Sequence, residues 1–455
     1  MNETKHLAQF ITETDYNDLS REVIEKAKEL ILDQLGCQLL FATMPWSKMV
    51  FKYIRGRKGA REESTVVNYG LRTIAEDAAF ANAAFGHGFE MDDIEPHTVT
   101  HPGAVVIPAA LASGEMEIIS GKEFLTAVVI GYDVMIRIGM AVRRMIDRWF
   151  QTTGVAGTFG AAASACKVLG LNTSMVVNAL AIAASESSGI GEYTESGGMV
   201  KRLHASFASQ AGMRAALLAQ TGLSGPPTAL EGKKGFCQAF ANEYSLKEIT
   251  DGLGKEFRIL WTGNKLHCCC AAQHTAIDAV AKILSVCNVV PENIEEIIVA
   301  GQRFIIAAVG SIIEPKDITG AQFSLPFGIA LRLIKTGNGF KDYSEENLKN
   351  PDIIGLAKKV KCVVDDELDR LPADALSAKV TIKMKDGTVH TERVDYARGT
   401  IQNPVTKGEL ENKFRELTTT VLSNYQIEEI IQTIWGLEKQ DTTHKLVSLL
   451  TYGGN

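Results

Sequence analysis

The segment FGHGFEMDDIEPHTVTHPGAVVIP, residues 85–108, carries three of the chain's nine histidines and four carboxylates between apolar flanks. Residue types of this kind support a metal site, an acid/base cluster or a solvated polar loop. His97 and His101 stand four apart, the spacing of two metal ligands on one helix face, yet Pro96 and Pro102 flank them and oppose regular helix there. The prolines weaken the metal reading, and no metal is assigned. A loop between apolar helices turns its polar tip into a cleft or into solvent, and this stretch alone fits both.

A second cluster, GGMVKRLHASFASQAG at 197–212, sets Lys201, Arg202 and His204 just after a glycine pair that opens a helix. A helix N-terminus with neighbouring cations makes a site for carboxylate or phosphate. The plainer reading is a helix with a basic first turn, although cations there oppose the dipole and call for a compensating anion. The third cluster, WTGNKLHCCCAAQHTAID at 261–278, places Lys265 before three thiols and a helix carrying His274. A lysine in an apolar setting can give or take a proton near neutrality; singly, each of these residues serves structure as readily. Cys268, Cys269 and Cys270 are adjacent and Cys-x-x-Cys pairs are absent, so the run reads as packing rather than metal ligation. No Gly-x-Gly-x-x-Gly, Walker-type loop or Gly-x-Ser-x-Gly elbow points to a nucleotide or an acyl-enzyme.

The elements that must position these clusters are mostly helical. Val23, Ala27, Leu30, Ile31 and Leu35 recur at helical spacing behind Asp18 and Ser20, either of which can cap, which predicts a helix over 20–42. Alanine-rich stretches predict further helices at about 73–86, 104–115, 122–146, 157–169, 173–188 and 200–222. Helices so rich in Ala and Gly can approach closely, as in a helical bundle. After about residue 285 the texture changes. PENIEEIIVAGQRF and LSAKVTIKMKDGTVHTERV show β-branched alternation, the latter around a Lys-Asp-Gly turn, with a helix at about 322–336 between them. From about 403 the chain returns to helix, with Thr406 and Glu409 as a capping box.

The length, 455 residues, favours two domains. The fold class read from this pattern is mainly α: a large all-helical domain formed by both chain ends, residues 1–266 and 403–455, and a smaller α/β lid domain, 267–402. A net charge of −7 offers no broad positive field for nucleic acid or anionic lipid. The N-terminus lacks the basic-then-apolar order of a secretion signal, and the longest apolar stretch, FLTAVVIGYDVMIRIGMAV, is interrupted by Asp133 and Arg137, so a cytoplasmic protein with no membrane span is expected. Eight scattered cysteines form no disulfide framework.

Taken in order, GHGFEMDD, THPGAVVIPAALA, GTFGAAASACKVLGL, KRLHASFASQAG, PTALEGKKGF, NKLHCCCAAQHTAIDA and FSLPFGIALRL resemble the MmgE/PrpD family. That family includes 2-methylcitrate dehydratases, cis-aconitate decarboxylases and an iminodisuccinate epimerase. The resemblance implies the same two-domain fold, homodimers, and catalysis with no metal or organic cofactor at a site between the domains. By motif match it implies His101, Lys201 and Lys265 as site residues, with His204 and His274 close by. Asp92 is then placed to orient His101, and Arg202 joins the two lysines in holding a substrate with several carboxylates. Such cations also stabilise the enolate-like electron pair left when a proton or CO₂ departs. The expected activity is that of a lyase on a small polycarboxylate, of the 2-methylcitrate dehydratase or cis-aconitate decarboxylase type.

Two positions depart from the family pattern. The acidic Leu-Asp-Tyr-Asp-Asp-Thr segment reads FEMDDIE here, with Glu90 for the first Asp and Ile94 for the Thr, and a histidine before GTFGAAA is replaced by Gln151. Glutamine hydrogen-bonds but does not titrate. His97 is then an alternative proton donor, and an epimerase or isomerase acting by α-proton exchange on a dicarboxylate becomes the second reading. A polycarboxylate-binding protein without catalysis is a third.

Overall fold

Ser20 accepts the Val23 amide and starts α2 (Arg21–Phe41), a 21-residue helix behind α1 (Glu3–Glu13) and ahead of α3 (Pro45–Arg55), whose first residue is proline. The computed structural model describes residues 2–57, 59–193, 197–372 and 374–451. The chain is mainly α and forms two units. Unit 1 comprises residues 1–88, 92–262 and 406–455; unit 2 comprises Phe89–Met91 and Gly263–Val405.

Unit 1 continues with α4 (Ala75–Gly86), α5 (Pro102–Glu117), α6 (Gly121–Ala141), α7 (Thr152–Val168), α8 (Thr173–Glu186) and α9 (Lys201–Gln220). Small residues bring these helices together as the composition suggests. A Cβ on Gly212 of α9 would stand 2.4 Å from Thr158 O and 2.6 Å from Ala161 Cβ of α7, and one on Gly131 of α6 would stand 2.4 Å from Val106 of α5. The helix α6 is long and apolar enough to cross a membrane, but 94% of its most apolar window is buried. Its Asp133 and Arg137 pair at 2.5 Å, and Arg137 also donates to the carbonyls of Asp251 and Glu256.

Three expectations need correction. Unit 1 is not all-helical: Ser64–Val66 (β1) and Leu71–Thr73 (β2) form an antiparallel hairpin whose turn uses positive φ at Asn68 (70°) and Gly70 (65°). Strands of three residues are too short for periodicity to reveal. The helix expected over 122–146 stops at Ala141, followed by a 3₁₀ turn, Arg143–Arg148, which Trp149 closes at φ 63°. The helix expected from 157 begins at Thr152, because Gln151 caps it by accepting the Gly154 amide at 2.5 Å.

Unit 2 is a two-layer α/β structure. β3 (Ile294–Gly301) pairs in parallel with β4 (Val360–Val364) and antiparallel with β5 (Ala378–Met384), and β5 pairs antiparallel with β6 (Val389–Val394). In register, Ile297 faces Val360 and Ile382, and Thr381 faces Thr391. Burial alternates strictly along β5, and α10 (His274–Val286) and α11 (Leu325–Lys335) pack on the sheet. The Lys-Asp-Gly turn places Gly387 at φ 87°. The chain then rejoins unit 1 as α12 (Lys407–Thr418), opened by the Thr406/Glu409 capping box, and α13 (Asn424–Trp435). Buried Lys413 of α12 pairs with buried Asp33 of α2 at 2.5 Å.

Candidate active site

In unit 1 the chemistry gathers where α4 ends and α5 begins. His87 closes α4 and His101 caps α5, and the loop between them is held by its own carboxylates. Asp92 Oδ2 lies 2.6 Å from His87 Nδ1 and 3.4 Å from His101 Nδ1, with both carboxylate and His87 fully buried. His101 Nδ1 is 2.7 Å from the Asp93 carbonyl oxygen. A carbonyl only accepts, so Nδ1 carries the hydrogen and, in the neutral ring, the lone pair stands on Nε2. The two imidazoles are 5.0 Å apart.

Between them the chain makes a tight hairpin. Glu95 and Thr100 exchange both backbone hydrogen bonds, and Val99 at the turn takes φ 54°, costly for a β-branched residue. The buried Glu95 carboxylate accepts from His97 Nδ1 at 2.6 Å, from the His97 and Thr98 amides and from the Thr98 hydroxyl. His97, partly exposed, stands 5.2 Å from the Trp261 ring. It thus forms a carboxylate–imidazole pair of its own, apart from the His87–Asp92–His101 group.

Three helix N-termini meet here. The His101 amide, at the start of α5, donates to Thr153 Oγ1 in the first turn of α7, and Thr152 donates to the Val99 carbonyl. A Cβ on Gly154 of α7 would lie 3.5 Å from His204 Cβ in the first turn of α9. The positive ends of helices of 16, 17 and 20 residues therefore share one locale, and none has an acidic residue in its first turn. Lys201 and Arg202, the first residues of α9, are nevertheless buried there, 4% and 3% exposed. Arg202 stacks on Trp46 at 4.1 Å. His204 is held neutral: burial, then the charges of His87 and Lys201, push it down to about 4. It can hydrogen-bond to an anion but adds no charge. Gln151 spends its side-chain oxygen on capping α7.

In unit 2, Lys265 Nζ lies 3.5 Å from the Glu90 carboxylate, both side chains buried. Glu90 adopts φ 56° between Phe89, whose ring meets Phe340 edge-on at 4.9 Å, and Met91, whose sulfur is 2.8 Å from Cys268 Sγ. Gln322 ties this short segment in place by donating to the carbonyls of Phe89 and Cys268. His274 begins α10 with Nε2 3.3 Å from the Cys269 carbonyl and its ring 5.0 Å from His267, itself bonded to Asp278. Burial pushes the Cys269 thiol far above its ordinary value, so it stays protonated.

The structure thus joins His101 with Asp92, Lys201 with Arg202 and His204, and Lys265 with Glu90. His87 and Asp93, not expected from the sequence, also belong here, although both lie inside GHGFEMDD; the histidine five residues before Asp92 is the signal available there. Among the described residues, His87, Asp92 and His101 form a group whose candidate ligand atoms lie within 4.8 Å of one another, a spacing that could hold a cation. The 2.6 Å separation of His87 and Asp92 is that of a strong hydrogen bond.

Fold and site together define a helical scaffold with a buried imidazole–carboxylate group at a cationic cluster of helix ends. Residues 5–249 match the MmgE/PrpD N-terminal domain and residues 267–437 the MmgE/PrpD C-terminal domain. The chain belongs to the MmgE/PrpD family. It is 28% identical to the cis-aconitate decarboxylase-like protein oryM of Aspergillus oryzae, across 99% of this chain and 97% of that protein. It is also 28% identical to the cis-aconitate decarboxylases of Aspergillus terreus (98% and 95% covered) and Mus musculus (98% and 93%).

Proposed function

We propose that the protein is a lyase that removes CO₂ or water from a small polycarboxylate, with decarboxylation of cis-aconitate or dehydration of a 2-methylcitrate-like acid as the leading activities. The observation that carries this reading is the meeting of three helix N-termini with buried Lys201 and Arg202 beside the His101–Asp92–His87 group. Positive potential of that kind, fixed in a buried setting, is complementary to a carboxylate and to the enolate-like charge of a carbanion.

His101 is assigned the proton transfer. In dehydration, neutral Nε2 takes the carbon-bound proton, the electron pair moves into the forming double bond as the carbon–oxygen bond breaks, and the imidazolium gives its proton to the departing hydroxide, which leaves as water. In decarboxylation, the bond to one carboxylate breaks, CO₂ departs, the electron pair delocalises into a neighbouring carboxylate, and His101, protonated from solvent beforehand, gives its Nε2 proton to carbon. Asp92 stabilises that imidazolium. Lys201 and Arg202 hold carboxylates, and Lys265 is assigned a supporting cationic role tested by its own substitution. The relatives named cis-aconitate decarboxylase support the lyase reading. Incubation with citrate, 2-methylcitrate and cis-aconitate, with products followed by mass spectrometry, tests it; no turnover of any would refute it.

One observation favours a second reading, an epimerase of a dicarboxylate. Gln151 does not titrate and its oxygen is committed to α7, so it supplies no proton. Deuterium entering recovered substrate from heavy water without loss of CO₂ or water would select this reading.

A further inference from the structure

We propose that Asp93 is the positioning residue for His101: its carboxylate, clamped by Tyr132 and the first turn of α5, fixes its own carbonyl oxygen where it accepts the His101 Nδ1 hydrogen. This rests on the proposed role of His101 as the proton-transferring group.

The geometry is redundant in a way a single structural hydrogen bond is not. Tyr132 of α6, fully buried, donates to Asp93 Oδ2 at 2.7 Å, and the Gly103 amide lies 3.1 Å from both carboxylate oxygens. Gly103 is two residues beyond His101, so one side chain ties both flanks of the histidine to the core helix α6. Room for the clamp depends on glycine: a Cβ at 103 would stand 2.6 Å from Tyr132 Oη and 2.9 Å from Asp93 Oδ2. The backbone carbonyl of this same residue then meets His101 Nδ1 at 2.7 Å. The side chain is held, the carbonyl follows, and the tautomer is set.

The clamp also carries a charge that changes near neutrality. Burial pushes Asp93 up to about 7; the Tyr132 hydroxyl pulls it back, Asp92 and Asp33 push it further up, and the Gly103 amide opposes them. The charged groups facing it are Asp92 on its own loop, Asp33 of α2, which is paired with Lys413 of α12, and His87 and His101 through Asp92. Ionised Asp93 places negative charge beside His101 and favours its imidazolium. Weakening that charge makes His101 easier to deprotonate.

The test uses Asp93→Asn and Tyr132→Phe in the full-length protein. With the best acid of the substrate panel, Asp93→Asn should lower kcat about tenfold or more while KM changes less than about threefold, since positioning rather than binding is lost. Independently of any substrate, carbethoxylation of His101 by diethyl pyrocarbonate is followed across pH by peptide mass spectrometry. Its midpoint should move acidward by about half a unit or more in Asp93→Asn, and by less in the same direction in Tyr132→Phe. Where Asp93→Asn does not fold, Tyr132→Phe decides. A His101 midpoint equal to wild type in the folded variants overturns the proposal, whatever happens to melting temperature. If the wild type converts no acid, the function reading fails while the carbethoxylation profile still decides the role of Asp93.

Discussion

Gly212→Ala should weaken the scaffold and slow the chemistry together. The added Cβ would stand 2.4 Å from Thr158 O, 2.6 Å from Ala161 Cβ and 2.6 Å from Ala162 N, two of them backbone atoms of α7 that no rotamer change can move. Ordinary contact needs about 3.4–4 Å, so α7 and α9 must part by about 1 Å. Overpacking costs up to about 3 kcal/mol, and three contacts this short put this one at about 2–3 kcal/mol; the better helix propensity of alanine returns about 1 kcal/mol, leaving a net loss of about 1–2 kcal/mol. The same displacement separates Thr153 and Gln151 at the head of α7 from Lys201 and Arg202 at the head of α9, and a 1 Å misplacement is worth up to about a hundredfold in rate. All four tryptophans, Trp46, Trp149, Trp261 and Trp435, lie in unit 1, so urea unfolding followed by tryptophan fluorescence reports that unit. Gly408→Ala is the control in the same unit: that glycine, in the first turn of α12, has nothing within 4 Å of its Cβ position and should gain about 0.5–1 kcal/mol or lose nothing. Equal or greater stability of Gly212→Ala in unit 1 would refute the close-packing argument.

Other substitutions read separate parts of the site. His101→Ala and Lys265→Ala should each lower turnover of the accepted acid about a hundredfold or more in protein that remains folded; unchanged kinetics in both would remove them from the site. The depressed titration of His204 has a definite sign: the unfolded chain binds its proton near 6.5 and the folded chain only near 4, so stability is complete above 6.5 and is lost as pH falls toward 4. The loss is about 2–3 kcal/mol, and urea unfolding at pH 7.5 and 4.5 should show a smaller decline in His204→Gln. Thr406→Ala removes one side of the capping box of α12 and should cost about 1 kcal/mol in the same assay.

The helices were legible wherever apolar period and cap agreed. Ser20 before α2 and Thr406 before α12 sit where the sequence places them, because a cap is a local interaction between residues three apart. The sheet of unit 2 was legible in part: β3, β5 and β6 alternate visibly, whereas β4 was not recognised, its pairing with β3 being a contact over about sixty residues. The lysines, His101 and Asp92 carried chemical signals of type and neighbourhood. Asp93 did not, because its meaning depends on Tyr132, 39 residues away, and on the room left by Gly103. Gln151 was visible as a non-titrating residue, but its capping of α7 shows only once the helix start is known. The convergence of three helix N-termini is likewise a property of packing, which no local pattern records.

Conversion of a polycarboxylate by the cationic helix ends and His101 underlies every role assigned above. It is tested most directly by incubating wild type and His101→Ala, each with chelator present, with cis-aconitate, citrate and 2-methylcitrate, and counting released CO₂ and dehydrated product by mass spectrometry. Wild type should convert at least one acid, and His101→Ala should do so at least about a hundredfold more slowly. No conversion by wild type, or equal conversion by both proteins, would contradict it.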